Sequence, residues 1–309
     1  MVSTHETSDS PRSHPDEGRH ERVAWTKGGS NLEVAEILGT APLRITGDLD
    51  TACVDNRIEL LVTKRFPRSE VVPAVVPVGF DADAIVSVAI AVGDGPHSPM
   101  AVSIGEAIAR RLDVPGTVIT AYAASDDYED ARYRLQRLTA PTTRLETTAI
   151  QTPDPRTITE HLSKDTLLVH GAAGGSFIDR HFTGTGNRLT SRARGCVLVV
   201  KDAPRRCFQI AVDPTGHAVA PELLVSDALH VMAYPFAPVV RAHRLLGIVR
   251  AHTLVHADAG ATVASFVEPV DALERCEAID GISTVRERLG DGPIPIIDDR
   301  GNLTGVILD

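Results

Sequence analysis

Apolar runs and helical patterns alternate along the middle of the chain. Five β-rich apolar runs predict strands at residues 84–92, 116–123, 144–151, 166–170 and 196–201. Between them, apolar residues at helical spacing predict helices at 100–112, 127–138, 155–162 and near 186–194. Strands that alternate with helices form a parallel sheet with both faces covered. The pattern therefore predicts an α/β domain over residues 80–203.

The part of the chain before this domain gives weaker signals. Residues 3–22 contain no apolar residue, so they cannot bury enough surface to offset the entropy of ordering, and we expect a disordered tail over 1–22. Residues 23–79 combine a short helical pattern, "NLEVAEIL", with strand-like runs at 57–63 and 71–78. This segment indicates no function.

The part after the α/β domain contains one internal repeat. The segment "FAPVVRAHRLLGIV" (236–249) matches "PIPIIDDRGNLTGVI" (293–307), with Pro238 opposite Pro295 and Gly247 opposite Gly305. A helical pattern precedes each segment, at 226–233 and 282–289. The repeat predicts two units of helix, strand, turn and strand that bury their sheet faces against each other over residues 204–309.

Composition and charge exclude several functions. The chain has 309 residues, 43% of them hydrophobic, and a formal net charge of −10 at pH 7, which argues against nucleic-acid binding. Without an apolar stretch near the 18–20 residues of a membrane span, or an apolar block at the N-terminus, we expect a cytoplasmic protein with no membrane insertion. The four separated cysteines predict reduced, mostly structural thiols.

A glycine-rich stretch follows the fourth predicted strand of the α/β domain. It has the pattern Gly171-x2-Gly174-x9-Gly184-Thr185, with Gly175, Gly186 and Asn187 beside these positions. Glycines let a backbone approach phosphate closely, and a helix N-terminus beyond a parallel strand offers free N–H groups to an anion. A flexible surface loop is the alternative, but the strand-to-helix setting favours phosphate binding.

Residues 83–201 resemble the universal stress protein family, whose ATP-binding members carry this glycine pattern. The resemblance implies a flavodoxin-like, doubly wound sheet of order 3-2-1-4-5, with Gly171, Gly174, Gly184 and Thr185 on the phosphates. The ends of the first and second strands would enclose adenine and ribose. The implied cofactor is ATP or another adenine nucleotide, with or without Mg²⁺. Nucleotide-binding members usually have Asp directly after the first strand, whereas this chain has Gly93 there and Asp94 one position later.

Residues 208–309 resemble a pair of cystathionine-β-synthase-type (CBS) repeats, because "APVVRAHRLLGIV" and "IPIIDDRGNLTGVI" are similar to the hairpin motif of that family. The resemblance implies an α+β regulatory module that binds adenosine nucleotides. The frequent ribose and phosphate motif G-x-x-[S/T]-x-x-D is degenerate here: Arg250 and Thr253 replace its hydroxyl and Asp in the first repeat. In the second repeat the sequence ends before the last helix. Both resemblances together imply a homodimer.

The sequence signals for catalytic residues and for metal ligands are weak. The stretch lacks the Gly-Lys-[Ser/Thr] of a P-loop, so slow hydrolysis or phosphotransfer would depend on Asp179 or His181, which we expect to be solvated. His252 and His256 have the spacing of two metal ligands, but a third ligand is missing, so no metal site is predicted.

On helix 127–138 a cluster of basic residues is open to two interpretations. Arg132, Arg134 and Arg137 can form a basic patch, but the acidic neighbours Glu129 and Asp130 favour a solvated face.

The sequence thus favours a nucleotide-binding regulatory or stress-response protein. The alternatives are a slow ATPase or phosphotransferase, and an interaction module without nucleotide that controls a partner such as a transporter or an enzyme.

Overall fold

A computed structural model describes residues 20–67, 70–142, 144–153, 157–172, 195–269, 276–289 and 294–308. The strands are β1 (Val23–Trp25), β2 (Leu43–Arg44), β3 (Leu60–Val62), β4 (Ala74–Val78), β5 (Ser87–Val92), β6 (Gly116–Tyr122), β7 (Leu145–Gln151), β8 (Thr166–Gly171), β9 (Val197–Lys201), β10 (Phe236–Arg241), β11 (Arg244–Arg250), β12 (Glu268–Pro269), β13 (Ile294–Ile297) and β14 (Leu303–Ile307). The α-helices are α1 (Gly29–Leu38), α2 (Leu49–Asp55), α3 (Ser98–Leu112), α4 (Tyr128–Thr139), α5 (Thr157–Glu160), α6 (Cys207–Ile210), α7 (Val225–Val231), α8 (Ala251–Val255) and α9 (Ile282–Leu289).

The chain divides into two compact units. The first unit contains the described residues of Met1–Glu21, Glu33–Pro42 and Val78–Leu198. The second contains the described residues of Arg22–Leu32, Leu43–Pro77 and Val199–Asp309. Both units mix strands and helices, so the fold is mixed α/β, with a mostly parallel sheet.

The first unit contains the predicted α/β sheet. Five of its strands follow the order β7-β6-β5-β8-β9, which is 3-2-1-4-5 when the strands are counted along the domain, and this confirms the predicted order. The strand order continues from β9 with β4, β3, β1 and β2, so the sheet has nine strands and the expectation of five was wrong. β5 pairs in parallel with β6 and β8, and β6 pairs in parallel with β7. The helix predicted at 155–162 is shorter than expected, because α5 covers only Thr157–Glu160.

Helix α3 covers the centre of this sheet. It begins at Ser98 with a proline in its first turn, where the missing N–H costs no hydrogen bond, and ends at Asp113 in the left-handed conformation. Its apolar face, which includes Ile104 and Ile108, is buried, as the helical spacing predicted. A Cβ on Gly105 would come within 2.5 Å of two side-chain carbons of Ile90, so glycine at this position lets α3 approach β5.

Within the second unit, the N-terminal segment supplies the last four strands of the nine-stranded order, β4, β3, β1 and β2. β1 pairs in parallel with β2 and with β3, and β3 pairs with β4. One buried cluster combines residues of this segment, such as Ile58 and Leu61, with Phe208 of α6. The Nη1 group of Arg57 donates a hydrogen bond to the carbonyl oxygen of Ala211 at 2.8 Å. Residues 23–77 therefore share a core with residues far along the chain, which the sequence did not indicate.

The predicted repeat appears as two helix–hairpin units. β10 and β11 form an antiparallel hairpin after α7, and β13 and β14 form another after α9. Both hairpins contain a register shift in the strand that carries the matched proline. Side chains of the two hairpins, including Phe236, Ile248 and Val306, pack in one buried cluster. Mutual burial of the two sheet faces is thereby confirmed.

The turn of the second hairpin is built around Asp298. Gly301 has φ of 79°, and its N–H donates to the carbonyl oxygen of Asp298 at 3.0 Å. The side chain and the backbone N–H of Asn302 both donate to the Asp298 carboxylate, which holds the pKa of that carboxyl below its usual range.

All four cysteines are free thiols, and Cys53, Cys207 and Cys276 are buried. Burial is the main cause that raises the pKa of Cys53 to about 12. These features fit the predicted structural role.

Candidate functional site

The candidate site lies where β5 and β8 end side by side. The register places Ala91 of β5 opposite His170 of β8, so the loop that begins at Gly93 lies next to Gly171. The connection from β5 leads to β6 on one side, whereas β8 lies on the other side, so the strand order reverses between β5 and β8. Ligands of open α/β sheets bind in the crevice at such a switch point.

Only part of the sequence-predicted site can be located. Gly93, Asp94 and Gly171 are described. The other predicted residues lie outside the described residues: Gly174, Gly175, Gly184, Thr185, Gly186 and Asn187, together with Asp179, His181 and the helix predicted near 186–194.

Gly171 lies against the residue that precedes α3. A Cβ on Gly171 would be 2.9 Å from the Cβ of His97 and 3.4 Å from its carbonyl carbon. Close packing therefore requires a glycine at this position, whether or not a ligand is bound. The contact also fixes the distance between the end of β8 and the loop after β5.

The loop after β5 is held by Ser98. The backbone N–H of Gly93 donates to Ser98 Oγ at 3.1 Å, and Ser98 Oγ donates to the carbonyl oxygen of Gly93 at 2.9 Å. Ser98 is buried, so this reciprocal pair satisfies polar groups that water does not reach. The hydroxyl thus maintains the shape of the loop and does not point out as a free nucleophile.

Asp94 is bound by an arginine of α4. Arg134 Nε and Nη2 donate to the two carboxylate oxygens of Asp94, each at 2.6 Å. Arg134 Nη1 donates to Thr120 Oγ1 at 3.1 Å, and Thr120 Oγ1 donates to the carbonyl oxygen of Val92 at 3.0 Å. The assignment of Arg134 to a solvated face was wrong, because its side chain is only 17% exposed.

Arg132 keeps the surface role that was predicted for it. Its contact with Glu129 is a single one of 3.6 Å between exposed side chains.

His170 precedes Gly171 at the end of β8. Its Nδ1 lies 2.9 Å from the carbonyl oxygen of Gly171, so the neutral ring donates from this nitrogen. Burial lowers the pKa of His170 and outweighs the effect of this hydrogen bond, which raises it. The neutral imidazole is therefore favoured, and it adds no positive charge to the site at neutral pH.

The end of β6 adds aromatic side chains to the same edge. Tyr122 and Tyr128 pack edge to face, with ring centroids 5.5 Å apart. Tyr122 is half-buried and Tyr128 is exposed, so this pair offers an apolar surface beside the polar loop.

A cavity of about 540 Å³ opens between α3 and α4. The predicted residues Gly93 and Asp94 line one end of it, and Val102 and Leu138 contribute apolar walls. Described residues of the site thus combine a hydrogen-bonding pair, an aromatic surface and an adjacent cavity, which suits the binding of a small molecule with polar groups.

Sequence reasoning named Gly93, Asp94 and Gly171 as candidates, but it did not connect Arg134, Thr120, His97 or His170 with them. The position of Thr120 near the end of the second predicted strand was a usable signal. The basic cluster on helix 127–138 drew attention to Arg134, but nothing in the sequence linked Arg134 with Asp94, because the two residues are 40 positions apart.

Two further predictions concern membranes and metals. Within the described ranges, no helix has the length and apolar composition to cross a bilayer. His252 lies in α8 and His256 directly after it, and both are exposed. In the same ranges, no three His, Cys, Asp or Glu side chains gather as a metal-binding group.

No protein-family model and no curated protein sequence matches this chain. Universal stress protein structures are among the solved structures that match it. One of these, in complex with cAMP, is 20% identical, with a TM-score of 0.30, and the match covers 39% of this chain and 99% of that one.

Two other kinds of structure also match. The cytoplasmic domain of a prokaryotic cation chloride cotransporter is 10% identical, with a TM-score of 0.38 and coverage of 59% and 84%. A GMP reductase from Trypanosoma brucei is 21% identical, with a TM-score of 0.28 and coverage of 32% of this chain and 25% of the reductase. This chain therefore spans about a quarter of the reductase. TM-scores this low do not establish a family.

Proposed function

We propose that the protein is a regulatory or stress-response protein that binds an adenine nucleotide in the first unit. The observation that carries this proposal is the strand order, because it brings the loop at Gly93–Asp94 next to Gly171, the first residue of the glycine pattern, at one switch point. This neighbourhood of Gly93, Asp94 and Gly171 supports a ligand site at the edge where α/β sheets bind ligands.

Each part of the nucleotide has a proposed place. The glycine stretch, with Gly171, Gly174, Gly184 and Thr185, would hold the phosphates through its backbone amides. The exposed carboxylate of Asp94 and the ring of Tyr122 lie at the ends of β5 and β6, where ribose and adenine would bind. Bound ATP, with or without Mg²⁺, is the first ligand to test.

The helix–hairpin repeats of the second unit support the regulatory part of the proposal. A CBS-like pair would transmit the ligand state to a protein partner such as a transporter or an enzyme, and the protein would act as a homodimer. Such transmission requires that the ligand binds one arrangement of the protein more tightly than another.

The test is nucleotide binding by the full chain. Small molecules released from the denatured purified protein are identified by mass spectrometry, and the ligand-free protein is titrated with ATP, AMP and cyclic adenylates by calorimetry. We expect an adenine nucleotide to be released or to bind. If none is released and none binds, the proposed function is wrong.

A glycine variant tests where the phosphates bind. Gly174→Val is expected to abolish binding without unfolding, because its side chain blocks the approach of phosphate. Gly216→Val is the control, since nothing lies within 4 Å of a Cβ at Gly216. Equal nucleotide affinity in Gly174→Val and the parent would refute the phosphate site.

A further inference from the structure

The pair formed by Asp94 and Arg134 has a geometry unlike that of an ordinary surface ion pair. Two parallel hydrogen bonds of 2.6 Å fix the carboxylate and the guanidinium in one plane. The Arg132–Glu129 pair on the same helix has a single contact of 3.6 Å, with side chains 67% and 75% exposed. Of these two pairs, the Asp94–Arg134 pair is bidentate and the Arg132–Glu129 pair is not.

The exposure of the pair is asymmetric. The side chain of Arg134 is 17% exposed, whereas that of Asp94 is 68% exposed. Arg134 is anchored from behind by Thr120, which is only 1% exposed and is bonded to the end of β5. Arg134 thus holds the carboxylate from the protein side and leaves its outer face to solvent.

This arrangement determines which groups the solvent-facing side of the Asp94 carboxylate can bind. An ionised carboxylate only accepts hydrogen bonds, and each oxygen has further lone pairs beyond the one that Arg134 uses. The positive charge of Arg134 offsets the negative charge that would otherwise repel a nearby phosphate. The pair is therefore a fixed acceptor for hydroxyl groups that tolerates an anionic ligand.

We infer that Arg134 is a positioning residue that makes Asp94 selective for a nucleotide with two neighbouring sugar hydroxyls. This inference rests on the proposed nucleotide function and deepens it. The two carboxylate oxygens lie side by side, as do the hydroxyls of a ribose. A ribonucleotide can donate a hydroxyl to each oxygen in addition to the bond from Arg134, whereas a deoxynucleotide donates to one oxygen only.

The experiment compares ATP with 2′-deoxy-ATP and 3′-deoxy-ATP by calorimetry on the full chain. For the parent protein we expect ATP to bind about tenfold or more tightly than either analogue, because a hydrogen bond to a charged group is lost. In Arg134→Gln this ratio should fall towards one. Arg134→Lys should restore it only in part, because a lysine cannot form two parallel bonds.

Arg132→Gln is the matched control, and it should keep the parental ratio because it removes a solvated arginine of the same helix. A purely structural role of Arg134 would lower the fraction of folded protein but not the ratio of the two affinities. Asp94→Asn, which keeps the size of the side chain, should also bring the ratio towards one if Arg134→Gln fails to fold.

The outcomes separate the two proposals. If the parent binds ATP and both deoxy analogues equally, or if Arg134→Gln and Asp94→Asn keep the parental ratio, this inference is overturned and nucleotide binding stands. If the parent binds no adenine nucleotide, both proposals are wrong.

Discussion

At the residue scale, the candidate site is shaped by contacts between residues that are distant in the sequence. Gly171 is a candidate from its spacing, yet its described contact is with His97, so packing alone already requires a glycine there. Asp94 is a candidate from its place after a strand, and its acceptor geometry comes from Arg134. Residue type indicates the possible chemistry, and the neighbouring side chain determines which part of it is used.

His170 makes a testable contribution to the pH dependence of stability. Its folded-state pKa is lowered by burial, so between that value and its usual pKa near 6.5 the unfolded chain binds more protons than the folded chain. Stability should therefore decrease as the pH falls through this window. Urea unfolding followed by circular dichroism at pH 7.5, 6.5 and 5.5 should show a larger loss for the parent than for His170→Gln. Parallel losses in the two proteins would contradict the prediction.

At the element scale, the two hairpins explain the glycines that the repeat places at equivalent positions. A Cβ on Gly247 would collide with the carbonyl oxygen of Glu268 in β12, and one on Gly305 would lie 2.8 Å from the Cβ of Ala211. In each hairpin a third segment of the chain pairs beside the glycine: β12 beside Gly247, and the residues around Val212 beside Gly305. The repeat in the sequence therefore reflects a repeated close approach between backbones.

Substitution of these glycines tests that explanation. Gly247→Ala and Gly305→Ala should each lower the free energy of unfolding by about 1–3 kcal/mol, because the added methyl group overpacks the contact. Gly216→Ala is the control, since a Cβ there meets open space. Chemical denaturation measures all three variants. A change no larger than that of the control would show that the neighbouring segment adjusts without cost.

At the scale of the whole molecule, the second unit joins segments from both ends of the chain. Phe208 packs in one cluster with residues of β1, β3 and β4 and their connections, and Gln209 donates to the carbonyl oxygen of Ile58 at 3.3 Å. Residues 23–77 lack a pattern of their own that indicates a domain, because part of their core is supplied by residues about 150 positions later.

Removal of the Phe208 ring tests this shared core. Phe208→Ala should cost about 3–5 kcal/mol, as for other buried phenylalanines. Hydrogen exchange should show lost protection at the amides of Leu61 and Thr63, which bond to the segment around β4. Phe266→Ala is the control, because Phe266 packs in the separate cluster of the first hairpin. Unchanged protection of these amides in Phe208→Ala would refute the shared core.

Much of the first unit was predictable, because the signals that define it are local. Alternating strands and helices are visible as periods of apolar residues, and β5, β6, β7 and β8 lie within a few residues of their predicted positions. The strand order followed from the family resemblance and is confirmed by the pairing. For the candidate site, Gly93, Asp94 and Gly171 were predicted, and the glycine positions from 174 onwards stay predictions.

The sequence alone determined the kinds of elements, their order and the repeat of the C-terminal hairpins. These features depend on neighbours within a few residues, where spacing and residue type fix the backbone. Tertiary structure alone decided that Arg134 holds Asp94, that His97 lies against Gly171, and that Phe208 completes the core of the N-terminal segment. Such pairs form when distant surfaces pack together, and no local period in the sequence records which surfaces meet.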